Sequence, residues 1–266
     1  MAASTAGFVV ALSWEQRLLS ALLPRNCRLL RSGMGAEAAS VAARQLLHDG
    51  ADMLVSCGCC AGLSADLRAG DVLIASAVLA SDGTRFAATT EALSTVQKRF
   101  APMFAAPDSE SGAGRSSARR QPAVCQTGTL LTLPTAVAEP QHKQQLARIH
   151  RAQAADMESV AIASVAAQAA VPFLAVRVVL DDCQQSLPEA VTASCNDYGD
   201  VNPMALLRAC GRQPGLLLEL VALARSRSRA ASSLRRLAVA WPTMQHAADT
   251  PGVDAVRSHP ATIKQH

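Results

Sequence analysis

Two acidic segments in the second half of the chain are spaced for chemistry at the edge of a β-sheet. Ala155-Asp156-Met157-Glu158-Ser159 places a Met-Glu pair at the start of an Ala-rich helix, and the run from Val176 ends in Asp181-Asp182. A helix start and the carboxyl end of a buried strand meet at the edge where open α/β sheets bind ligands. Two carboxylates in one crevice can divide two tasks, because one can hold a sugar diol while the other protonates a leaving group.

Length and composition favour a globular α/β protein with a small-residue core. The 266 residues are 50% hydrophobic but only 3% aromatic, so Ala, Val and Leu must build most of the core. The formal net charge of +4 is too modest to indicate a nucleic-acid partner. We therefore expect no nucleic-acid binding.

Cysteine usage and the N-terminal segment predict a cytoplasmic protein. Cys57, Cys59 and Cys60 are nearly adjacent, where disulfide pairing is geometrically awkward, so reduced thiols are the simpler interpretation of the eight cysteines. The apolar run Gly7–Leu12 lacks a basic preceding region and a clean cleavage site. It predicts a first strand and not a signal peptide.

Apolar periodicity predicts alternating strands and helices. Strands are expected at 8–12, 27–31, 53–57, 72–79, 124–133 and 173–180, and helices at 15–23, 36–48, 141–152, 159–170, 204–210 and 216–225. This alternation predicts one α/β domain over residues 1–238, with three layers (α/β/α) and a central mixed sheet. The composition of residues 107–122 predicts a flexible surface insert, and that of residues 239–266 a disordered tail.

Two glycine-containing turns follow predicted strands. Ser32-Gly33-Met34-Gly35 precedes a helix, where backbone amides can approach an anion, although an ordinary tight turn fits equally well. Cys57-Gly58-Cys59-Cys60 could suggest zinc, but zinc needs four ligands at chelating spacing and no histidine lies near. We interpret it as a small-residue turn and predict no metal site.

Taken together, these segments resemble the nucleoside phosphorylase and nucleosidase superfamily, which contains purine nucleoside phosphorylase, uridine phosphorylase and methylthioadenosine/S-adenosylhomocysteine nucleosidase. The resemblance covers about Val9 to Asp182 and rests on the Ser32–Gly35 turn, Gly58…Gly62-Leu63 with Gly70-Asp71-Val72, Asp156–Ser159, and Arg177…Asp181. The later segment is similar to the hopanoid-associated phosphorylase branch, whose members remove adenine from adenosylhopane. That similarity is carried by Leu187–Ala190, Asp197…Gly199, Pro203…Leu207 and Arg212–Gly215.

The resemblance implies roles for individual residues. Asp181 would donate a proton to N7 of the purine, and Glu158 would accept hydrogen bonds from the ribose 2′- and 3′-hydroxyls. Met157 would pack on the apolar face of the sugar. Glu15 falls where the nucleosidase branch keeps a glutamate that activates water.

The glycine turns would complete the binding site, but some positions depart from the family pattern. Gly33 and Gly35 would line the phosphate or water end, with Gly58 and Cys59 contributing from the central turn. Leu180 stands where many relatives carry serine before the acid. The Cys59 thiol is a poorer phosphate donor than a hydroxyl, and an arginine that some phosphorylases use for phosphate is missing. Hydrolysis and phosphorolysis therefore both remain open.

The function implied is cleavage of the N-glycosidic bond of a 5′-substituted adenosine, with adenosylhopane as the favoured substrate. No metal or organic cofactor is expected, and phosphate would be a co-substrate only in phosphorolysis. A hopanoid substrate would bring a cytoplasmic enzyme into transient contact with the membrane. Family relatives suggest a homo-oligomer, with a homodimer as the default. The alternatives are a methylthioadenosine/S-adenosylhomocysteine nucleosidase and a non-catalytic nucleoside-binding protein of the same fold.

Overall fold

Strands and helices alternate along most of the chain. The computed structural model describes residues 5–104, 122–213, 215–241 and 255–257. The strands are β1 (Ala6–Val10), β2 (Cys27–Arg31), β3 (Met53–Gly62), β4 (Val72–Ala80), β5 (Thr84–Ala87), β6 (Cys125–Thr132), β7 (Ala154–Asp156), β8 (Phe173–Asp181) and β9 (Ala255–Arg257). The helices are α1 (Ser13–Ser20), α2 (Ala36–His48), α3 (Thr90–Phe104), α4 (Pro140–His150), α5 (Ser159–Gln168), α6 (Glu189–Thr192), α7 (Pro203–Arg212) and α8 (Leu216–Val239).

One mixed sheet organises the molecule. The strand order is β2-β1-β3-β7-β6-β4-β5-β9, and β8 pairs with both β3 and β4. The β8 strand is parallel to β3 and antiparallel to β4. Because β8 joins β3 to β4, the strands β3, β7, β6, β4 and β8 close a circuit, and β3 lies between β7 and β8. The predicted α/β fold with a central mixed sheet is confirmed.

Helices cover the two faces of this sheet. Alternate residues of a strand point to opposite faces. Phe8 and Val10 therefore pack in one hydrophobic cluster with buried residues of α3 and α8, whereas Val9 packs in another with α2 and α5. This arrangement gives the three layers that the sequence predicts.

The central strand is longer than the sequence predicts. We expected β3 to end at Cys57 and a turn to follow, but β3 continues to Gly62 and pairs with β8 along its length, with an irregularity between Cys60 and Ala61. The prediction of a turn is wrong because backbone hydrogen bonds to a neighbouring strand override the weak strand preference of small residues. Gly58 keeps a positive φ of 138° within this strand.

Several elements were not predicted from the sequence. They are β5, α3, β7, α6 and β9, and α8 extends to Val239 beyond the predicted end at Arg225. In the last half of α8, Ala230, Leu234 and Ala238 recur every four residues and are buried, but arginines and serines separate them. Among the described residues, no helix is long and apolar enough to cross a membrane.

Two predicted segments lie largely outside the described residues. Of the predicted insert at 107–122, the structure describes only Pro122. Of the predicted tail at 239–266, it describes 239–241 and the strand β9, which pairs antiparallel with β5.

The Gly70-Asp71 motif fixes the start of β4. The Asp71 carboxylate accepts hydrogen bonds from the backbone amides of Arg68 (2.7 Å) and Val124 (2.9 Å). The Gly70 carbonyl accepts a hydrogen bond from the Ser233 hydroxyl at 2.6 Å, which ties this turn to α8. This part of the sequence motif therefore has a structural role.

Candidate active site

A buried guanidinium lies at the centre of the polar cluster. Arg177, in the middle of β8, is 1% exposed. Its Nη2 lies 2.5 Å from Asp156 Oδ2, 2.7 Å from Ser56 Oγ and 3.4 Å from Glu158 Oε2. Burial alone would lower the pKa of Arg177, but Asp156 and Glu158 raise it above its ordinary value. A buried charge needs such partners, because an isolated ion in a low-dielectric interior is strongly disfavoured.

Asp156 is saturated by protein donors. It ends β7, and its carboxylate accepts hydrogen bonds from the Thr132 hydroxyl (2.7 Å), the Ser159 backbone amide (3.2 Å) and the Ser159 hydroxyl. With Arg177 as a further partner, this carboxylate anchors the start of α5. Its role is to position its neighbours.

Glu158 retains capacity to bind a ligand. It is the N-cap residue of α5 and is 5% exposed. Its Oε1 accepts a hydrogen bond from the Gly35 amide at 2.9 Å, and its Oε2 faces Arg177. Burial raises the pKa of Glu158 to about 7, against the lowering effect of Arg177. A carboxylate has about four acceptor sites, so two protein donors leave room for a pair of hydroxyls. Met157 beside it is half-buried.

The Ser32–Gly35 turn holds a carboxylate of the protein itself. Gly33 and Gly35 have φ angles of 89° and 101°, which glycine adopts without strain. These angles aim the Gly35 amide, at the N-terminus of α2, at Glu158. Asp197 and Tyr198 cover the turn: the Met34 amide donates to the Asp197 carbonyl at 2.7 Å, and a Cβ on Gly33 would lie 3.2 Å from the Tyr198 ring.

Glu15 lies in the first turn of α1 and is 1% exposed. Its Oε1 accepts a hydrogen bond from the Cys59 amide (2.7 Å), and its Oε2 accepts one from the Leu12 amide (3.0 Å). A Cβ on Gly58 would lie 2.9 Å from both carboxylate oxygens, so only glycine allows this approach. Burial raises the pKa of Glu15, and the nearby Arg177 lowers it. Gly58 and Cys59 thus support Glu15, and their contact with substrate stays a prediction.

Asp181 is held by a lysine that the sequence did not identify. Asp181 ends β8, is 3% exposed, and its Oδ2 forms an ion pair with the Lys143 ammonium. Burial raises the pKa of Asp181, although the charge of Lys143 lowers it. Lys143 is fully buried on α4, a helix whose sequence is mostly polar. A single lysine in such a helix gives no sequence signal.

The sheet brings the predicted acids to one end of β3. Contacts with β3 show their proximity: the Cys59 amide donates to Glu15, and the Cys59 carbonyl accepts a hydrogen bond at 3.4 Å from Arg177, which also pairs with Glu158. The next strand residue but one, Ala61, is paired with Asp181. Since β3 separates β7 from β8, Asp156 and Asp181 flank it on opposite sides, about 10 Å apart at ordinary strand spacing. The carboxylates expected to grip the sugar and to protonate the base are thus buried in one region.

The chain belongs to the phosphorylase superfamily, whose family model matches residues 24–210. No curated protein sequence matches it. It is structurally similar to the futalosine hydrolase of Helicobacter pylori strain 26695, with a TM-score of 0.61 and 14% identity over 89% of this chain and 97% of that chain.

Two further structures are similar to this chain, and both are described as 5′-methylthioadenosine/S-adenosylhomocysteine nucleosidases. The one from Helicobacter pylori, with butyl-thio-DADMe-Immucillin-A, has a TM-score of 0.59 and 14% identity over 89% of this chain and 98% of its own. The one from Neisseria meningitidis, with methylthio-immucillin-A, has a TM-score of 0.57 and 19% identity over 88% of this chain and all of its own (100%). At these identities the likeness establishes a shared fold. The narrower resemblance to the hopanoid-associated branch stays a prediction.

Proposed function

We propose that this protein cleaves the N-glycosidic bond of a 5′-substituted adenosine and that adenosylhopane is its favoured substrate. The observation that carries the proposal is the burial of Glu15, Glu158 and Asp181 around one end of β3 in a phosphorylase-superfamily fold. Sheltered carboxylates with raised pKa values suit acid–base chemistry near neutral pH.

Each of these residues is assigned a role by the charge that develops near it as the glycosidic bond breaks. Cleavage builds positive charge on the ribose and negative charge on the base. The Glu158 carboxylate accepts the 2′- and 3′-hydroxyls and offsets the charge on the sugar, while Met157 packs on the ring. Asp181 supplies a proton to N7 as the C1′–N9 bond breaks and its electron pair leaves with the base.

We assign hydrolysis rather than phosphorolysis to this site. Asp156 already balances the charge of Arg177, and Glu15 and Glu158 add two further buried carboxyls, so no net positive charge remains to hold a phosphate dianion. Glu15 suits a general base: it takes a proton from water as the water oxygen bonds to C1′. The products are then adenine and the 5-substituted ribose. Neither a metal nor an organic cofactor takes part in this scheme.

An exposed apolar surface on α7, the helix that follows the residues covering the glycine turn, supports a large 5′ substituent. After Asp197 and Tyr198, the chain enters α7, which buries no residue. Its Met204 and Leu207 side chains are 61% and 67% exposed. Such a surface suits a lipid chain better than a methylthio group. Transient membrane contact, a cytoplasmic location and a homodimer stay predictions.

Two other functions remain to be tested against this one. The structural similarity to methylthioadenosine/S-adenosylhomocysteine nucleosidases favours a smaller thioalkyl substituent. The departures at Leu180 and Cys59 leave room for a protein that binds nucleosides without cleaving them.

Adenine release from adenosylhopane and from methylthioadenosine, each with and without phosphate, tests the proposal. We expect release from adenosylhopane without phosphate and a free ribosyl product. Release that requires phosphate would replace hydrolysis with phosphorolysis. Release from methylthioadenosine alone would establish the smaller substrate, and binding of both without release would establish a binding protein.

Sugar binding should depend on the ionisation of Glu158. Since its pKa is raised to about 7, acidification protonates the acceptor that the two hydroxyls need. We expect the Kd of a non-cleavable 5′-substituted adenosine analogue to increase about tenfold from about pH 8 to about pH 6. Calorimetric titration measures this change. A matched 2′,3′-dideoxy analogue should show almost none of it, and an equal change for both analogues would contradict the role of Glu158.

A further inference from the structure

The ammonium group of Lys143 is buried and fully hydrogen-bonded, yet the chemistry above does not use it. Its side chain is 0% exposed. Nζ donates to the Asp181 carboxylate, to the Asp182 carbonyl at 2.9 Å and to the Gln185 carbonyl at 2.7 Å. Three acceptors use all three N–H groups of a lysine.

This ion pair demands an explanation beyond packing. Removing an ammonium and a carboxylate from water is costly, and apolar residues of similar volume often give equal or greater stability. The acceptors also show that Lys143 ties the end of β8 to the turn at Asp182–Gln185. That turn is in addition bound to α8, because Ser226 donates to the Gln185 side chain at 3.1 Å.

We propose that Lys143 is the positioning residue for Asp181, an inference that rests on the proposed function. By holding Oδ2 and the following turn, Lys143 fixes the rotamer of the Asp181 carboxyl. Oδ1 is then the oxygen that acts on the substrate base. Lys143 itself does not touch the substrate in this arrangement.

The same contact sets the pH range of the acid. Within the described part of the chain, the carboxyl is affected electrostatically by Lys143 on α4, Asp182 on the following turn and the Cys60 thiol on β3. Of these, Lys143 is the cation that stabilises the carboxylate, so its loss must raise the pKa of Asp181. A general acid works only while protonated, and the descending limb of the pH–rate profile therefore moves to higher pH.

The test compares three substitutions at Lys143. For Lys143→Met we expect the descending limb of kcat to move up by about 1–3 pH units. We also expect kcat at the optimum to fall by about 10²-fold with little change in KM, because only the acid is misplaced. Lys143→Gln should show the same pH shift with a smaller loss of kcat, since it keeps N–H donors. Lys143→Arg keeps the charge and should leave the limb near its wild-type position.

Leu146→Ala is the matched control, because Leu146 is buried on the same face of α4 and carries no charge. This substitution should loosen α4 without moving the descending limb of the pH–rate profile. NMR titration of the Asp181 carboxyl, assigned with Asp181→Asn, measures the same shift without substrate. An unchanged midpoint in Lys143→Met and Lys143→Gln would overturn the inference even if the wild type releases adenine. If the wild type releases no base but the titration midpoint of Asp181 moves in the Lys143 variants, only the proposed function is contradicted.

Discussion

Replacing Asp181 with asparagine should reduce the rate of base release by about 10²–10⁴-fold and leave nucleoside affinity within a few-fold of the wild type. The amide keeps the shape of the carboxyl and can still accept a hydrogen bond from Lys143. It cannot supply a proton to N7, so the base would leave as an anion. Steady-state kcat together with the Kd of a non-cleavable analogue measures the two effects separately.

The leaving group provides an internal check on this role. A 4-nitrophenyl riboside releases a phenolate that needs no proton, so the loss of rate in Asp181→Asn should be much smaller for it. A loss of the same size for both substrates would show a structural defect. Asp182→Asn is the matched control, because the Asp182 carboxylate is half-buried and accepts a hydrogen bond from the backbone of Gln184 at 3.0 Å. Full activity in Asp181→Asn would mean that another group is the proton donor.

The order of motifs along the chain predicts the fold because motif spacing reflects strand and helix packing. The bounds of β2 and α2 agree with the sequence prediction at both ends, since a short apolar strand and an Ala-rich helix leave little ambiguity. The course of β3 does not follow from local sequence. Only the neighbouring strand β8 shows that small residues after Cys57 continue the pairing.

Some residues of the candidate site can also be predicted from the sequence, and others cannot. Glu158 and Asp181 stand at element boundaries, where sequence patterns are informative. Arg177 belongs to a sequence motif that gives it no role, but its pairing could have been inferred, because a charge within the apolar run from Phe173 to Leu180 must be paired if that run is buried. Lys143 could not, since its partner is 38 residues away and its helix is polar.

The carboxylates around Arg177 make this residue a sensitive position for stability. In Arg177→Met, Asp156 and Glu158 lose their buried counter-charge. We expect the free energy of unfolding near neutral pH to fall by about 3–5 kcal/mol, the usual result of breaking a buried ion pair on one side. Urea denaturation, with the midpoint and slope compared with the wild type, measures the change. Arg235→Met, at an exposed arginine of α8, should stay within about 0.5 kcal/mol of the wild type.

The pH dependence of the stability lost in Arg177→Met distinguishes an electrostatic role of the arginine from a packing role. Without the guanidinium, which lowers the pKa of Glu15 and of Glu158, both carboxyls must become more basic. A carboxyl whose folded-state pKa is raised stabilises the fold below its unfolded pKa and loses that contribution as the pH rises through its folded value. The deficit of Arg177→Met should therefore grow between about pH 5 and about pH 8. A deficit that is the same across this range would show that the arginine acts through packing alone, and the electrostatic account of the site would then fail.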